Sequence, residues 1–151
     1  MKTAGTPVKI NLQTKIDRDG QKEDFELIVF GQFYIKNQSS YLIFDEIWEK
    51  GKVHTIVKHI VQQDGTNSEV QVLRRGAMNM RLFFKENELM SGTYKTDVGT
   101  FTVETSTVEM DYHWNEEKKS GEMKVNYHFF IEQIEVGTYE LKFTFEAVSE
   151  N

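Results

Sequence analysis

The sequence predicts an all-β protein: a single closed antiparallel β-barrel of about 8–10 strands, mostly an up-and-down meander, with residues 1–151 as one domain. Three observations predict it, namely composition, a hydrophobic period of two, and short turn sequences between apolar runs. The 151 residues include only 3 Ala and 7 Leu, against 13 Val, 10 Ile, 13 Thr and 19 aromatic residues. β-Branched and aromatic side chains suit a pleated, half-buried surface. A chain of this length also supports one sizeable core.

The period of two is clearest near both ends of the sequence. Val8, Ile10 and Leu12 alternate with polar residues, and Leu141 and Phe143 repeat the pattern close to the end. Such alternation is typical of strands with one buried and one solvated face. Glycine and polar turns separate the runs. The predicted strands are 7–17, 22–36, 41–49, 53–62, 69–75, 77–84, 88–95, 99–112, 122–133 and 138–148.

Turn chemistry supports short connections between these strands. Asp19-Gly20 and Asp64-Gly65 have the residues that tight hairpins prefer. Gly31 and Gly92 lie inside apolar runs instead and predict bulges or bends. A meander of about ten strands gains from closure, because closure removes exposed edges. We therefore expect a closed barrel in preference to a β-sandwich.

Charge and composition exclude several classes of function. The formal net charge is −6, with 18 basic against 24 acidic residues, whereas a nucleic-acid binder needs a basic face. The absence of cysteine excludes disulfides, thiolate metal sites and a cysteine nucleophile. No apolar run approaches the ~18 residues of a membrane span, and we see no signal peptide. We expect a cytoplasmic protein with no nucleic-acid or membrane partner.

Motifs for metals and cofactors are also missing. His54 and His59 lie on opposite faces of one predicted strand, and only His113 and His128 remain as a two-histidine cluster. No HExxH, GxSxG, GxxxxGK[ST] or GxGxxG sequence is present. We therefore assign no metal ligand, no cofactor and no catalytic residue.

The middle of the chain carries charges among apolar residues. Glu46 lies in an apolar strand, and an inward acid there needs a cation, for which Arg75 or Lys58 is available. A salt bridge is favoured over catalysis, and the same holds for Glu104. Since Arg74 and Arg75 lie on opposite faces, one of them points inward and needs a carboxylate or a bound anion.

If the lumen holds a ligand, an arginine or a tyrosine at its inner end would orient an acidic head group. We choose Arg75, Arg81 and Tyr94 for that role. Met78 and Met80 share a face and form a soft surface that adapts to an irregular ligand. Plain core packing is the competing interpretation of the same residues. For the basic residues of this region, we favour the interpretation that they are solvated or paired in salt bridges. Binding of an anion and binding of nucleic acid are the alternatives.

The strand around Tyr41 to Trp48 has large apolar residues on both faces. A strand of this kind packs its second face under another element or a partner chain. Tyr41 and Trp48 are therefore our candidate interface residues, and a homodimer is the expected assembly if that interface forms.

Several blocks of the chain resemble a known family. They are Gly51–Lys58, Arg75–Phe83, Tyr94–Thr96 followed by Gly99, and Glu104–Thr107. In these blocks the sequence is similar to the YwiB-type family of Firmicutes, and the likeness extends over nearly the whole chain. The resemblance implies a calycin-like barrel, similar in build to lipocalins and fatty-acid-binding proteins. It implies no established biochemical function and no catalytic residues.

Together these observations favour a non-enzymatic binding protein for a small apolar or amphipathic ligand. A ligand with a carboxylate head group is one form of this prediction. A protein-interaction or assembly module with a filled core is the alternative, and an acid–base enzyme using Glu46 or Glu104 ranks third. The candidate ligand-binding residues are Arg75, Arg81, Tyr94, Glu46, Lys58, Met78 and Met80.

Overall fold

The computed structural model describes residues 5–61 and 68–148. These residues form ten strands, each close to its predicted bounds. The predicted turn at Asp64-Gly65 lies outside the described residues. The strands are β1 (Thr6–Arg18), β2 (Gln21–Lys36), β3 (Ser39–Trp48), β4 (Gly51–Val61), β5 (Ser68–Gly76), β6 (Asn79–Lys85), β7 (Leu89–Thr96), β8 (Gly99–Asn115), β9 (Ser120–Ile131) and β10 (Ile134–Ala147).

The ten strands close into one antiparallel barrel. Each strand pairs with its neighbours in sequence, and β1 closes the barrel by pairing with β10, with Ile10 opposite Phe145. The prediction of a closed up-and-down barrel is thus confirmed. Among the described residues, there is no helix long and apolar enough to cross a membrane.

Among the described residues, short turns connect successive strands alternately at the two ends of the barrel. In the first, Asp19 and Gly20 have φ of 51° and 85°, and Asn37 and Gln38 in the second have 51° and 68°. Two successive positive φ angles match the right-handed twist of paired strands. We call the end that carries turns 18–21, 48–51, 76–79, 96–99 and 131–134 the mouth.

Aromatic side chains fill the middle of the barrel. Phe33, Phe84, Phe143 and Phe145 are each no more than 2% exposed. The ring of Phe33 lies 4.4 Å from that of Trp114 and 4.9 Å from that of Phe145, measured between centroids. Aromatic pairs at these separations add to the stabilisation from burial. The centre of the lumen is therefore a packed core.

The two glycines inside apolar runs allow close strand approach rather than forming bulges. A Cβ atom on Gly31 would overlap the carbonyl oxygen of Ile43, and one on Gly92 would overlap that of Arg81. Both positions therefore need a residue without a side chain. The register shifts lie elsewhere, between Thr107 and Glu109 and between Glu135 and Gly137.

The barrel is split along part of β2. Strand β3 pairs with β2 only over Gly31–Lys36, whereas β1 pairs with β2 along Gln21–Phe33. Among the described residues, the segment Gln21–Phe30 thus has no strand on its second side. We call this segment the β2 edge. It exposes Phe25, Ile28 and Phe30, the last of them by 67%.

Candidate ligand site at the barrel mouth

An ion pair lies inside the barrel near the mouth. The Nε atom of Arg74 donates to Oε2 of Glu46 over 3.2 Å, and the two side chains are 13% and 4% exposed. Thr55 donates its hydroxyl to the same oxygen over 2.6 Å, and the indole Nε1 of Trp48 donates to Oε1 over 3.3 Å. Three donors from three strands therefore satisfy one buried carboxylate, as a charge in this position requires.

Strand pairing brings these groups together. Thr55 on β4 lies directly opposite Arg74 on β5, while Glu46 on β3 lies opposite Val53 of β4. Glu46 and Arg74 are 28 residues apart, so only the order of the strands makes them neighbours. The predicted salt bridge of an inward Glu46 is present, but its partner is neither Arg75 nor Lys58.

The choice of Arg75 as the inward arginine was wrong. Val72 is buried, and Arg74 lies on the same face of β5. Leu73 is half-buried on the opposite, outer face, which it shares with the exposed Arg75. The alternation of β5 was correctly predicted, but both of its faces carry an apolar residue. The local signal for the inward face was the pair Val70 and Val72, which alternates with the polar Glu69 and Gln71 and shares its face with Arg74.

A concavity of about 450 Å³ opens at the mouth, next to the ion pair. Its lining includes Trp48, Met78 and Tyr94, and Trp48 connects it to the ion pair through its hydrogen bond to Glu46. Tyr94 on β7 is opposite Met80 on β6, and Met80 is in turn opposite Arg74. Of the predicted ligand residues, Glu46, Met78, Met80 and Tyr94 are thus brought together.

The remaining predicted residues lie on the outer surface. Arg81 is exposed, which corrects its assignment to the inner end of the lumen. Lys58 holds its ammonium 5.3 Å from the ring centre of Tyr41, whose ring stacks on Tyr34 at 4.7 Å. Trp48 lies at the mouth and is 43% exposed. The two candidate interface residues are therefore on different surfaces.

Tyr127 forms the layer of the core next to the ion pair. Its ring lies 4.7 Å from Phe84 and 5.5 Å from Tyr139, between ring centroids. Burial raises the pKa of the Tyr127 hydroxyl well above its ordinary value, although the nearby Arg74 acts in the opposite direction. Tyr127 is therefore uncharged at neutral pH, and the Glu46–Arg74 pair adjoins a neutral core layer.

A second polar cluster lies at the opposite end of the lumen. Ser40 and Tyr112 share a hydrogen bond of 2.6 Å, and the ring of His59 stacks on that of Tyr112 at 4.1 Å. Within the described residues, Nδ1 of His59 is buried without a hydrogen-bond partner. Desolvation lowers the pKa of His59 below its ordinary 6.5.

The buried His59 predicts a loss of stability in acid. Because its pKa is lower in the folded state, the unfolded chain binds the proton more tightly. The contribution of His59 is complete above pH 6.5 and declines as the pH falls through the folded pKa. We expect His59→Phe to flatten the decline in the free energy of unfolding between about pH 7 and pH 5. Urea titrations across this range measure it.

The exposed His113→Phe is the matched control for that experiment, and its pH profile should follow the wild type. If His59→Phe also follows the wild-type profile, His59 does not carry the acid sensitivity.

Within residues 5–61 and 68–148, the histidines do not converge with acids on a metal site. His113 is opposite Glu122, and His128 is opposite Ser106 with its Nδ1 atom 3.1 Å from Oε2 of Glu135. In the part of the chain that the structure describes, no three His, Cys, Asp or Glu residues are grouped to hold a metal ion.

Known proteins are similar to this chain in sequence and in fold. Residues 10–143 match a family described as "Domain of unknown function (DUF1934)". The chain belongs to the DUF1934 family. The uncharacterised beta-barrel protein YwiB of Bacillus subtilis (strain 168) is 29% identical over 142 residues, which cover 94% of each chain. The crystal structure of ywiB protein from Bacillus subtilis matches with a TM-score of 0.81 and 28% identity, over 96% of this chain and 94% of that one.

The DUF1934 comparison confirms the resemblance found in the sequence and the barrel fold that it implied. Both the family description and the relative's name leave the function open, so they assign no role to the mouth residues.

Proposed function

We propose that this DUF1934 barrel is a non-enzymatic binding protein for a small amphipathic ligand with an acidic head group, held at the mouth. The observation that carries the proposal is the position of Arg74, a cation inside the lumen that pairs with Glu46. Glu46 in turn accepts a hydrogen bond from Trp48, which lines an open concavity together with Met78 and Tyr94. Ligand sites commonly combine an apolar lining with a few fixed polar groups.

The chemistry of Arg74 supports an acidic head group. A guanidinium carries five N–H donors, and Nε alone has a protein partner, Glu46, among the described residues. The other donors are available to a carboxylate, which accepts strong charge-assisted hydrogen bonds. Because the packed core closes the lumen below, the apolar part of the ligand lies toward the mouth, against Trp48 and Met78.

Calorimetric titration with decanoate and with decanol tests this assignment. We expect decanoate to bind more tightly than decanol, because decanol lacks the charge that Arg74 recognises. Arg74→Met should remove this preference, and Trp48→Ala should weaken both ligands. Arg75→Met, one residue away on the outer face, is the matched control and should bind as the wild type does.

Native mass spectrometry of the purified protein provides a second readout. A small acidic molecule retained on the folded chain supports the proposal. If neither probe binds and no small molecule is retained, or if Arg75→Met lowers decanoate affinity as much as Arg74→Met, the mouth is not the ligand site.

A second candidate function is assembly with another copy of this chain through the β2 edge. A free strand edge presents unpaired backbone groups that another strand readily completes. Antiparallel pairing of two copies about Leu27 sets Phe25 opposite Val29 and Asp24 opposite Phe30. No like charges then face each other directly along the pairing.

The β2-edge dimer gives a testable variant. Phe30→Asp is expected to shift a dimer to monomer, because it places a carboxylate directly opposite Asp24 of the second copy. Light scattering after gel filtration measures the mass against 17.7 kDa for one chain. Val98→Asp, the same kind of change at a turn residue that is 86% exposed, is the control. A wild-type protein that remains monomeric at high concentration contradicts this candidate.

A further inference from the structure

A cluster of cations lies on the outer face of the barrel, on the side away from the core. Arg75 on β5, Arg81 on β6 and Lys95 on β7 all point outward and are exposed. Strand pairing sets Lys95 opposite Asn79 and Arg81 opposite Thr93. Since Asn79 and Arg81 are two residues apart on β6, they bring the lysine and the arginine onto adjoining rows of one surface.

These residues line a groove rather than a flat sheet. The groove has a volume of about 350 Å³, and its lining includes Arg75, Arg81 and Lys95 together with the half-buried apolar side chains of Ile56 and Leu73. We call it the basic groove. The groove combines a cationic rim with an apolar wall. The rim attracts an anionic group, and the wall contacts the apolar part of the same ligand.

The exposed cations of the basic groove form no ion pair with an acid of the described part of the chain. Among the described residues, no carboxylate forms an ion pair with Arg75, Arg81 or Lys95, and the carboxylate of Asp45 is directed to His54. The chain as a whole has a net charge of −6, so acids are plentiful elsewhere. Three neighbouring cations repel one another, and a bound anion removes this repulsion.

We propose that the basic groove binds a small organic phosphate on the outer face of the barrel, beside the mouth concavity, with which it shares Asn79 and Lys95. A phosphate monoester carries close to two charges and three acceptor oxygens, which suits two guanidinium groups and an ammonium better than a single carboxylate does. Arg75 and Arg81 supply planar paired donors, and Lys95 supplies a point charge. Ile56 and Leu73 contact the organic part of the ligand.

Phenyl phosphate is the probe for this site. Its binding is measured by calorimetry and by amide chemical shifts, both at fixed ionic strength. We expect saturable binding, with the largest shifts on β5, β6 and β7 around the groove. Inorganic phosphate should bind more weakly because it cannot contact the apolar wall, and benzoate more weakly because it has one charge. Arg75→Gln and Arg81→Gln should each weaken phenyl phosphate about tenfold, as expected for loss of a charge-assisted hydrogen bond.

Lys58→Gln is the matched control, because Lys58 is an outer-face cation that packs on Tyr41 outside the groove. Lys58→Gln should bind phenyl phosphate as the wild type does. Since Arg75 and Arg81 are exposed, Arg75→Gln and Arg81→Gln should keep the wild-type melting temperature, as should Lys58→Gln. Shifts centred on Trp48 and Glu49, which line the mouth concavity but not the groove, or equal weakening by Lys58→Gln, would place the anion elsewhere and overturn the proposal. Preference for a short oligonucleotide over phenyl phosphate would assign the groove to nucleic acid instead.

Discussion

Glu46→Ala is expected to lower the free energy of unfolding by about 3–5 kcal/mol, the usual cost of removing one partner of a buried ion pair. The carboxylate of Glu46 is 4% exposed and accepts hydrogen bonds from Arg74, Thr55 and Trp48. Its removal leaves the Arg74 guanidinium in the lumen without its counter-charge. Urea unfolding monitored by circular dichroism measures the loss.

Two controls separate the buried charge from a general effect on β3. Asp45→Ala removes the adjacent acid, but Asp45 and its partner His54 are 45% and 39% exposed, so we expect a loss of less than about 1 kcal/mol. The double variant Glu46→Leu/Arg74→Met removes both charges and should regain most of the lost stability. Equal losses from Glu46→Ala and Asp45→Ala would show that the ion pair is not the cause.

Phe33→Ala is expected to cost about 3–5 kcal/mol, because the loss of a buried aromatic ring leaves a cavity that the core fills only in part. Phe33 is 2% exposed and contacts the rings of both Trp114 and Phe145. These rings belong to β2, β8 and β10, so the cavity loosens packing across the barrel. Thermal and urea unfolding measure the change.

The control for the core is Ile47→Ala on β3. Ile47 is 74% exposed, and a surface substitution of this kind usually changes stability by no more than about 0.5 kcal/mol. If Phe33→Ala is equally mild, the aromatic cluster of Phe33, Trp114 and Phe145 is not tightly packed.

Arg74 and Arg75 show how one strand serves two surfaces. Successive side chains of a strand point to opposite faces, so Arg74 reaches the ion pair inside while Arg75 joins the basic groove outside. Arg75→Met is therefore the control in the decanoate experiment, whereas Lys58→Gln is the control in the phenyl phosphate experiment, because the lining of the groove also includes Arg74.

Much of the fold could be predicted from the sequence because it depends on local patterns. Asp19-Gly20 has the residues of a tight turn, and this pair forms the β1–β2 turn. Gly31 was harder to interpret, because a glycine in a strand indicates either a bulge or a close approach. The carbonyl of Ile43, twelve residues away in sequence, decides for close approach.

The sequence by itself determined the strands, their alternation and their meander order, since side-chain period and turn chemistry act over a few residues. It also determined that one of two adjacent arginines points inward. Only the tertiary structure decided that this arginine is Arg74, that its partner is Glu46, and that β2 leaves β3 at Gly31. These features depend on which apolar face is buried and on the register between strands, and both are set by packing of the whole barrel.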